Sequence, residues 1–139
     1  MTEFKFKDIT ERIIGAAMKV HSTLGNGFPE NIYQRAMVLQ MEDDGLVFEK
    51  ECNMTVYYLN KPIGYRRVDF FVENKICVEL KALSDLEPVN FTQTRNYLEA
   101  FNMEVGLLIN FVAVSLQFRR LTNPKYKSTI NQNSSNNHQ

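Results

Sequence analysis

The sequence predicts an α/β domain in which helices pack on a mixed sheet. Two observations carry that reading. The periodic segments run helix, helix, strands, helix, strand, an order that suits an α/β arrangement around a mixed sheet. Val105 to Phe111 is a short, mostly apolar run, typical of a buried strand. At 139 residues the chain is long enough for one domain with a real core.

The elements follow in order. Asp8 and Glu11 predict a helix start with Asp8 as cap, and Ile9, Ile13, Ile14, Ala17, Val20 and Leu24 then recur at helical spacing. Gly25-Asn26-Gly27 is a turn, since Gly and Asn accept positive φ. Pro29 opens a second helix, where its missing N–H costs nothing. Ile32, Tyr33, Ala36, Met37 and Leu39 form its apolar face, and Gly45 ends it. Leu46 to Phe48 and Met54 to Leu59 have strand composition, and Asn60-Lys61-Pro62 predicts a turn. Ile63 to Val72 and Ile76 to Ala82 read as further strands. Pro88 opens a helix running to about Asn102, and a last strand covers Ser115 to Leu121. The domain is expected over residues 1–121. Residues 122–139 read as a polar tail, disordered where Asn and Ser dominate at 131–137.

The formal net charge is zero, so the chain as a whole is no obvious polyanion binder. Its distribution is uneven. The first 104 residues hold all sixteen acids against twelve basic residues, while Arg119, Arg120, Lys125 and Lys127 follow with no acid among them. Those cations form either a basic arm near a phosphate backbone or a solvated tail. Cys52 and Cys77 lack zinc spacing and read as reduced thiols of a cytoplasmic protein. No secretory leader is visible at Met1, and the most apolar stretch, Val105 to Val114, is about half a membrane span.

The segment Val68 to Lys81 carries the chemistry. If Glu73-Asn74-Lys75 joins two antiparallel strands, Val72 faces Ile76, Phe70 faces Val78 and Val68 faces Leu80, making one apolar face. The opposite face then holds Asp69 opposite Glu79 and Arg67 opposite Lys81. A slip of one residue mixes polar and apolar groups on both faces, so the pattern fixes the register. Two carboxylates about 5 Å apart repel each other. A cation between them relieves this, and all-oxygen ligation points to a hard ion, Mg²⁺ or Mn²⁺. Lys81 on the same face can orient or help deprotonate a water, or stabilise charge on a phosphoryl transition state. The plainer alternative is a solvated sheet face on which Lys81 neutralises two acids.

Asp69 followed by Glu79-Leu80-Lys81 resembles the signature of the PD-(D/E)XK nuclease superfamily, with Val68 where a proline is usual. Gly27-Phe28-Pro29-Glu30-Asn31-Ile32-Tyr33 resembles the motif of the GxxExxY family within that superfamily. Val20-His21, Leu24 to Gly27, the Q-x-x-x-Y of Gln93 to Tyr97, and Gly106-Leu107-Leu108-Ile109-Asn110-Phe111 look like the same family. The resemblance spans residues 9 to 121. It implies a restriction-endonuclease-like αβββαβ core, a mixed sheet flanked by helices, and metal-dependent hydrolysis of DNA or RNA. It further implies that Asp69, Glu79 and the Leu80 backbone carbonyl bind metal, with Glu30 as a further ligand and Lys81 assisting the attacking water. It implies no particular substrate.

Each remaining residue has two readings. Glu30 lies in the first turn of its helix, where a carboxylate also complements the dipole. Tyr33 is a core residue. Gln93 and Tyr97 share a helix face and, by the resemblance, brace the site or contact nucleic acid; otherwise they form a polar face. His21 is either a satisfied core histidine or a contact to phosphate or a carboxylate. Arg66, Arg67 and Arg95 are candidate phosphate contacts, with Arg67 foremost because it shares the Asp69 face. The rival to a nuclease is a non-catalytic nuclease-like module for nucleic-acid binding or protein interaction. Action on another phosphorylated substrate is a third option. Homo-oligomerisation stays open.

Overall fold

The computed structural model describes residues 5–128. Helices α1 (Lys7–Leu24) and α2 (Glu30–Asp43) precede three strands, β1 (Phe48–Tyr58), β2 (Lys61–Val72) and β3 (Ile76–Lys81). Helix α3 (Pro88–Ala100), β4 (Val105–Asn110) and β5 (Gln117–Thr122) complete the chain. The five strands lie in the order β1-β2-β3-β4-β5. Only the β3–β4 pair is parallel, and α3 supplies its crossover. The mixed sheet flanked by helices expected from the sequence is what forms.

Two cores sandwich the sheet. On one face, Ile13, Ala17 and Val20 of α1 and Tyr33, Met37 and Met41 of α2 meet Phe70, Val78, Leu80 and Leu107. On the other, Leu98 of α3 packs with Val68, Cys77, Met103 and Leu121. Each Val, Leu, Ile, Phe or Met among them contributes roughly 1.5–3 kcal/mol by leaving water. Gly106 lets α3 approach β4: a Cβ there would lie 3.0 Å from Leu98 Cδ2. Interior strand β4 is buried at every position, which explains its apolar run from Val105 to Ile109.

Several local expectations are corrected. Helix α1 begins two residues earlier than a cap at Asp8 allows. Its cap is Phe6 in left-handed conformation, and Asp8 sits in the first turn, complementing the dipole. Leu39 is 69% exposed, since the buried stripe of α2 is Tyr33, Met37 and Met41. Strand β1 is continuous where two strands were expected, because β2 pairs along nearly all of it. The turn is Leu59-Asn60, both at positive φ (50° and 62°), as a two-residue hairpin matching sheet twist requires. Pro62 lies in β2 opposite Tyr57, beside the register shift at Val56/Tyr57, where a residue without an N–H is tolerated.

Past residue 121, Asn123 is buried and donates through Nδ2 to the carbonyls of Leu98 and Met103, both at 3.0 Å. Contacts to α3 and the loop before β4 therefore continue beyond residue 121. The Asn- and Ser-rich segment 131–137 lies outside the described residues. Cys52 and Cys77 are free thiols. Among the described residues no helix is long and apolar enough to cross a membrane.

Candidate active site

The hairpin expected around Glu73-Asn74-Lys75 forms, with Val72 opposite Ile76 and Phe70 opposite Val78. The ladder stops there. The expected backbone pairs Val68–Leu80, Asp69–Glu79 and Arg67–Lys81 do not continue it. Side chains take over instead. The Asp69 N–H donates to Glu79 Oε1 at 3.0 Å, and the Leu80 N–H donates to Asp69 Oδ2 at 2.7 Å. Each carboxylate thus braces the backbone of the other strand.

The pleat of β2 also reverses at this point. Phe70 and Val72 enter the α1/α2 core, while Val68 enters the α3 core, so the single apolar face expected of the hairpin is split. Opposite, the β1 ladder passes from Lys50–Phe70 to Cys52–Val68 around Glu51, whose φ is +53°. Such a local kink re-aims one side chain. Here it turns Asp69 toward α2, where the Gln34 amide donates to Asp69 Oδ1. A cavity of about 200 Å³ opens beside this contact, lined by Asn31, Gln34, Arg35, Lys50, Glu51 and Asp69 among others.

Three acids converge electrostatically. Burial, and then the Asp69 charge, push Glu79 up to about 8. Burial also raises Asp69, against hydrogen bonds from Leu80 and Gln34 and the charge of Lys81. Glu30 is raised by burial and by Asp69, and lowered by Lys81. Lys81 therefore acts as the shared counter-charge of Glu30, Asp69 and Glu79. Its strand end is fixed from β4: Phe111 N–H donates to the Lys81 carbonyl at 3.0 Å. Asn110 then clamps the next loop, accepting from Leu83 N–H and donating to its carbonyl, both at 2.8 Å.

Helix α2 is located by Tyr33, which is fully buried. It stacks on Phe111 with centroids 4.6 Å apart and planes at 12°. Its hydroxyl donates to Gly25 O at 2.5 Å and accepts from Phe28 N–H at 3.3 Å. Tyr33 is thereby tied to residues on either side of Gly27, with Glu30 between at the first turn of α2. His21 lies farther along this wall, with Nε2 3.3 Å from the Ala113 carbonyl.

The remaining candidates lie on β2 and α3. Arg67 is exposed and pairs with Asn53 of β1. Gln93 is exposed on α3, and Tyr97 is half-buried against Phe101 at 6.2 Å. Gln34 and Asn110 were missed in the sequence. Gln34 follows Glu30 by four residues, so helical spacing alone puts it on the Glu30 face. Asn110 carries no such signal, because an Asn ending an apolar strand reads as a turn.

Residues 7–121 match the PD-(D/E)XK nuclease superfamily, and the chain belongs to it. No curated protein sequence matches the chain. Among solved structures, the crystal structure of SSO0001 is similar at 16% identity and TM-score 0.53, covering 95% of this chain and 67% of that one. An alkaline exonuclease (LHK-Exo) from Laribacter hongkongensis is similar at 6% identity and TM-score 0.50, covering 96% and 77%. At such identities the likeness is one of fold.

Superfamily members generally use divalent metals. Among the described residues no three His, Cys, Asp or Glu side chains group closely enough to hold an ion by themselves. The donor chemistry nevertheless fits a hard cation. Asp69 and Glu79 offer oxygens only, and their burial and mutual repulsion are what a cation relieves. Each bonded carboxylate oxygen keeps a lone pair beyond the hydrogen bond it accepts.

Proposed function

We propose that this protein is a divalent-metal-dependent nuclease that hydrolyses phosphodiester bonds in DNA or RNA. The observation that carries the reading is the convergence of Asp69 and Glu79 where the β2–β3 ladder opens, with Lys81 as counter-charge. Asp69, Glu79 and the Leu80 backbone carbonyl would hold Mg²⁺ or Mn²⁺, with Glu30 as a further ligand. When bound, the ion supplies Lewis-acid stabilisation to the phosphoryl group. Gln34 and the Leu80 N–H fix the orientation of the Asp69 carboxylate. Lys81 orients the attacking water and stabilises charge developing on the phosphoryl oxygens.

Around this centre we assign Arg67 to a phosphate contact, His21 to positioning the wall that carries Phe111, and Gln93 and Tyr97 to bracing or substrate contact. The motif Gly27 to Tyr33 supports placement in the GxxExxY family. The two free thiols support a cytoplasmic location.

The test is a cleavage panel of single- and double-stranded DNA and RNA with Mg²⁺ or Mn²⁺. Cleavage that EDTA abolishes and Asp69→Ala lacks is expected. No cleavage of any substrate, together with no metal-induced rise in melting temperature, overturns the reading in favour of a non-catalytic module.

A further inference from the structure

The β1–β2 hairpin runs beyond the two cores as an arm. All residues from Tyr57 to Arg67 are exposed. Three of the six tyrosines lie on it: Tyr57, Tyr58 and Tyr65 are 63%, 66% and 64% exposed. Large aromatic rings in water at such density need a reason, since burial would stabilise the fold. The charge of the arm supplies a second observation. Residues 53–68 contain Lys61, Arg66 and Arg67 and no acid, in a chain whose net charge is zero.

The third observation is continuity with the site. Side chains alternate along a strand, so Tyr65, Arg67 and Asp69 share one face of β2 up to the reversal at Asp69. Cys52, Met54 and Val68 pack toward α3 on the other face. The shared face pairs Tyr65 with Thr55 and Arg67 with Asn53, both exposed partners. It forms a polar, aromatic and cationic track that ends at the Asp69 carboxylate. At the tip, Tyr57 and Tyr58 follow the register shift after Val56, and by alternation Tyr57 lies on the Thr55 and Tyr65 face while Tyr58 lies on the other.

We propose that this arm is a binding platform for single-stranded nucleic acid. Unpaired bases stack on Tyr57 and Tyr65, while Arg67 on the same face meets the phosphates on the way to Asp69. Rings interleaved with cations fit single strands, because stacking needs an open base face and tolerates any sequence. A duplex hides those faces. The proposal deepens the nuclease reading and rests on it for the direction in which the strand leads.

Binding measured in EDTA separates the two ideas, because it needs no cleavage. Fluorescence anisotropy with labelled oligothymidylate and a duplex of equal length would compare wild type, Tyr57→Ala/Tyr65→Ala, Tyr57→Phe/Tyr65→Phe and Arg67→Ala. The exposed positions predict unchanged melting for all variants. The double alanine variant should bind the single strand about a hundredfold more weakly, roughly tenfold per ring. The phenylalanine variant should bind as wild type does. Arg67→Ala should flatten the salt dependence of log K by about 0.7, the loss of one phosphate contact. Tighter binding to duplex, or single-strand binding that ignores the tyrosines, overturns the proposal. So does self-association that the alanine substitutions abolish while oligonucleotide binding persists. Tyrosine-dependent binding without cleavage in the metal panel would leave the platform standing and remove the nuclease reading.

Discussion

Glu79 reaches across the opened end of the β2–β3 ladder to accept the backbone N–H of Asp69 at 3.0 Å. The contact fastens two like-charged side chains in one place and makes that place depend on protons and cations.

The first consequence is a pH dependence of stability. Glu79 is raised from 4.5 to about 8, first by burial and second by Asp69. Between those values the folded state holds the proton more tightly than the unfolded state, so stability falls as pH rises through the window. The contribution is fully present below pH 4.5. The loss is at most about 1.4 kcal/mol per pH unit from this group. Glu30 and Asp69 shift in the same direction. Urea midpoints in EDTA should therefore drop between pH 5 and pH 8. Glu79→Gln keeps an acceptor for the Asp69 N–H and removes the charge, so its midpoints should change less. Equal slopes for both proteins would refute this account.

The same charges should make metal binding visible without any substrate. An ion bound only by the folded state stabilises it by about 2.7 kcal/mol at a hundredfold excess over Kd. Melts in Mn²⁺ should rise by several degrees over EDTA for wild type, and hardly at all for Asp69→Ala. Lys81→Ala should keep the rise, or enlarge it by removing a competing cation, and lose cleavage. A Lys81→Ala protein that cleaves normally would show that the amine has no part in the chemistry.

Gln34 orients Asp69 without bearing charge itself. Gln34→Leu keeps the bulk of the side chain and removes the donor. Metal affinity should fall about 10–100-fold, the usual cost of losing such a support. Titration calorimetry with Mn²⁺ measures it directly. Unchanged affinity would mean the Leu80 N–H alone suffices to hold the carboxylate.

Tyr33→Phe removes a hydroxyl that bonds the Gly25 carbonyl and the Phe28 N–H, and leaves the ring stacked on Phe111. The expected cost is about 1 kcal/mol. Tyr33→Ala empties a fully buried site and should cost about 3–5 kcal/mol. Denaturant melts distinguish the two. Similar losses for both variants would place the energy in the hydroxyl and not in the ring.

Much of this site is legible in the residues themselves. The apolar alternation of Phe70, Val72, Ile76 and Val78 fixes the hairpin register, and Pro29 locates the start of α2 and hence Glu30. The register does not reveal where the ladder opens. That depends on Glu51 adopting a left-handed backbone on the neighbouring strand, and a Glu gives no local sign of it. The strand pattern likewise placed Val68 with Phe70, because simple alternation cannot anticipate a reversal of the pleat. The helix cap at Phe6 was hidden for a similar reason: Asp8 is a good cap by type but serves in the first turn. Gln34 was within reach of helical spacing.

The Tyr33–Phe111 stack bears on how such a protein can change over generations. One ring belongs to the helix that carries Glu30 and Gln34; the other follows the strand that holds the Lys81 carbonyl. The geometry of the centre is therefore maintained by hydrocarbon contacts a layer beneath it, while the acids oppose that geometry when no cation is present. Replacing an acid by its amide sacrifices chemistry, relieves the repulsion and keeps an acceptor for the backbone N–H it braces; replacing either ring damages the fold itself. A descendant can exchange its carboxylates for amides and remain a well-formed domain, and selection for activity is what keeps the charges. The rings answer to selection for folding, so the two sets of residues drift under separate pressures within one small structure.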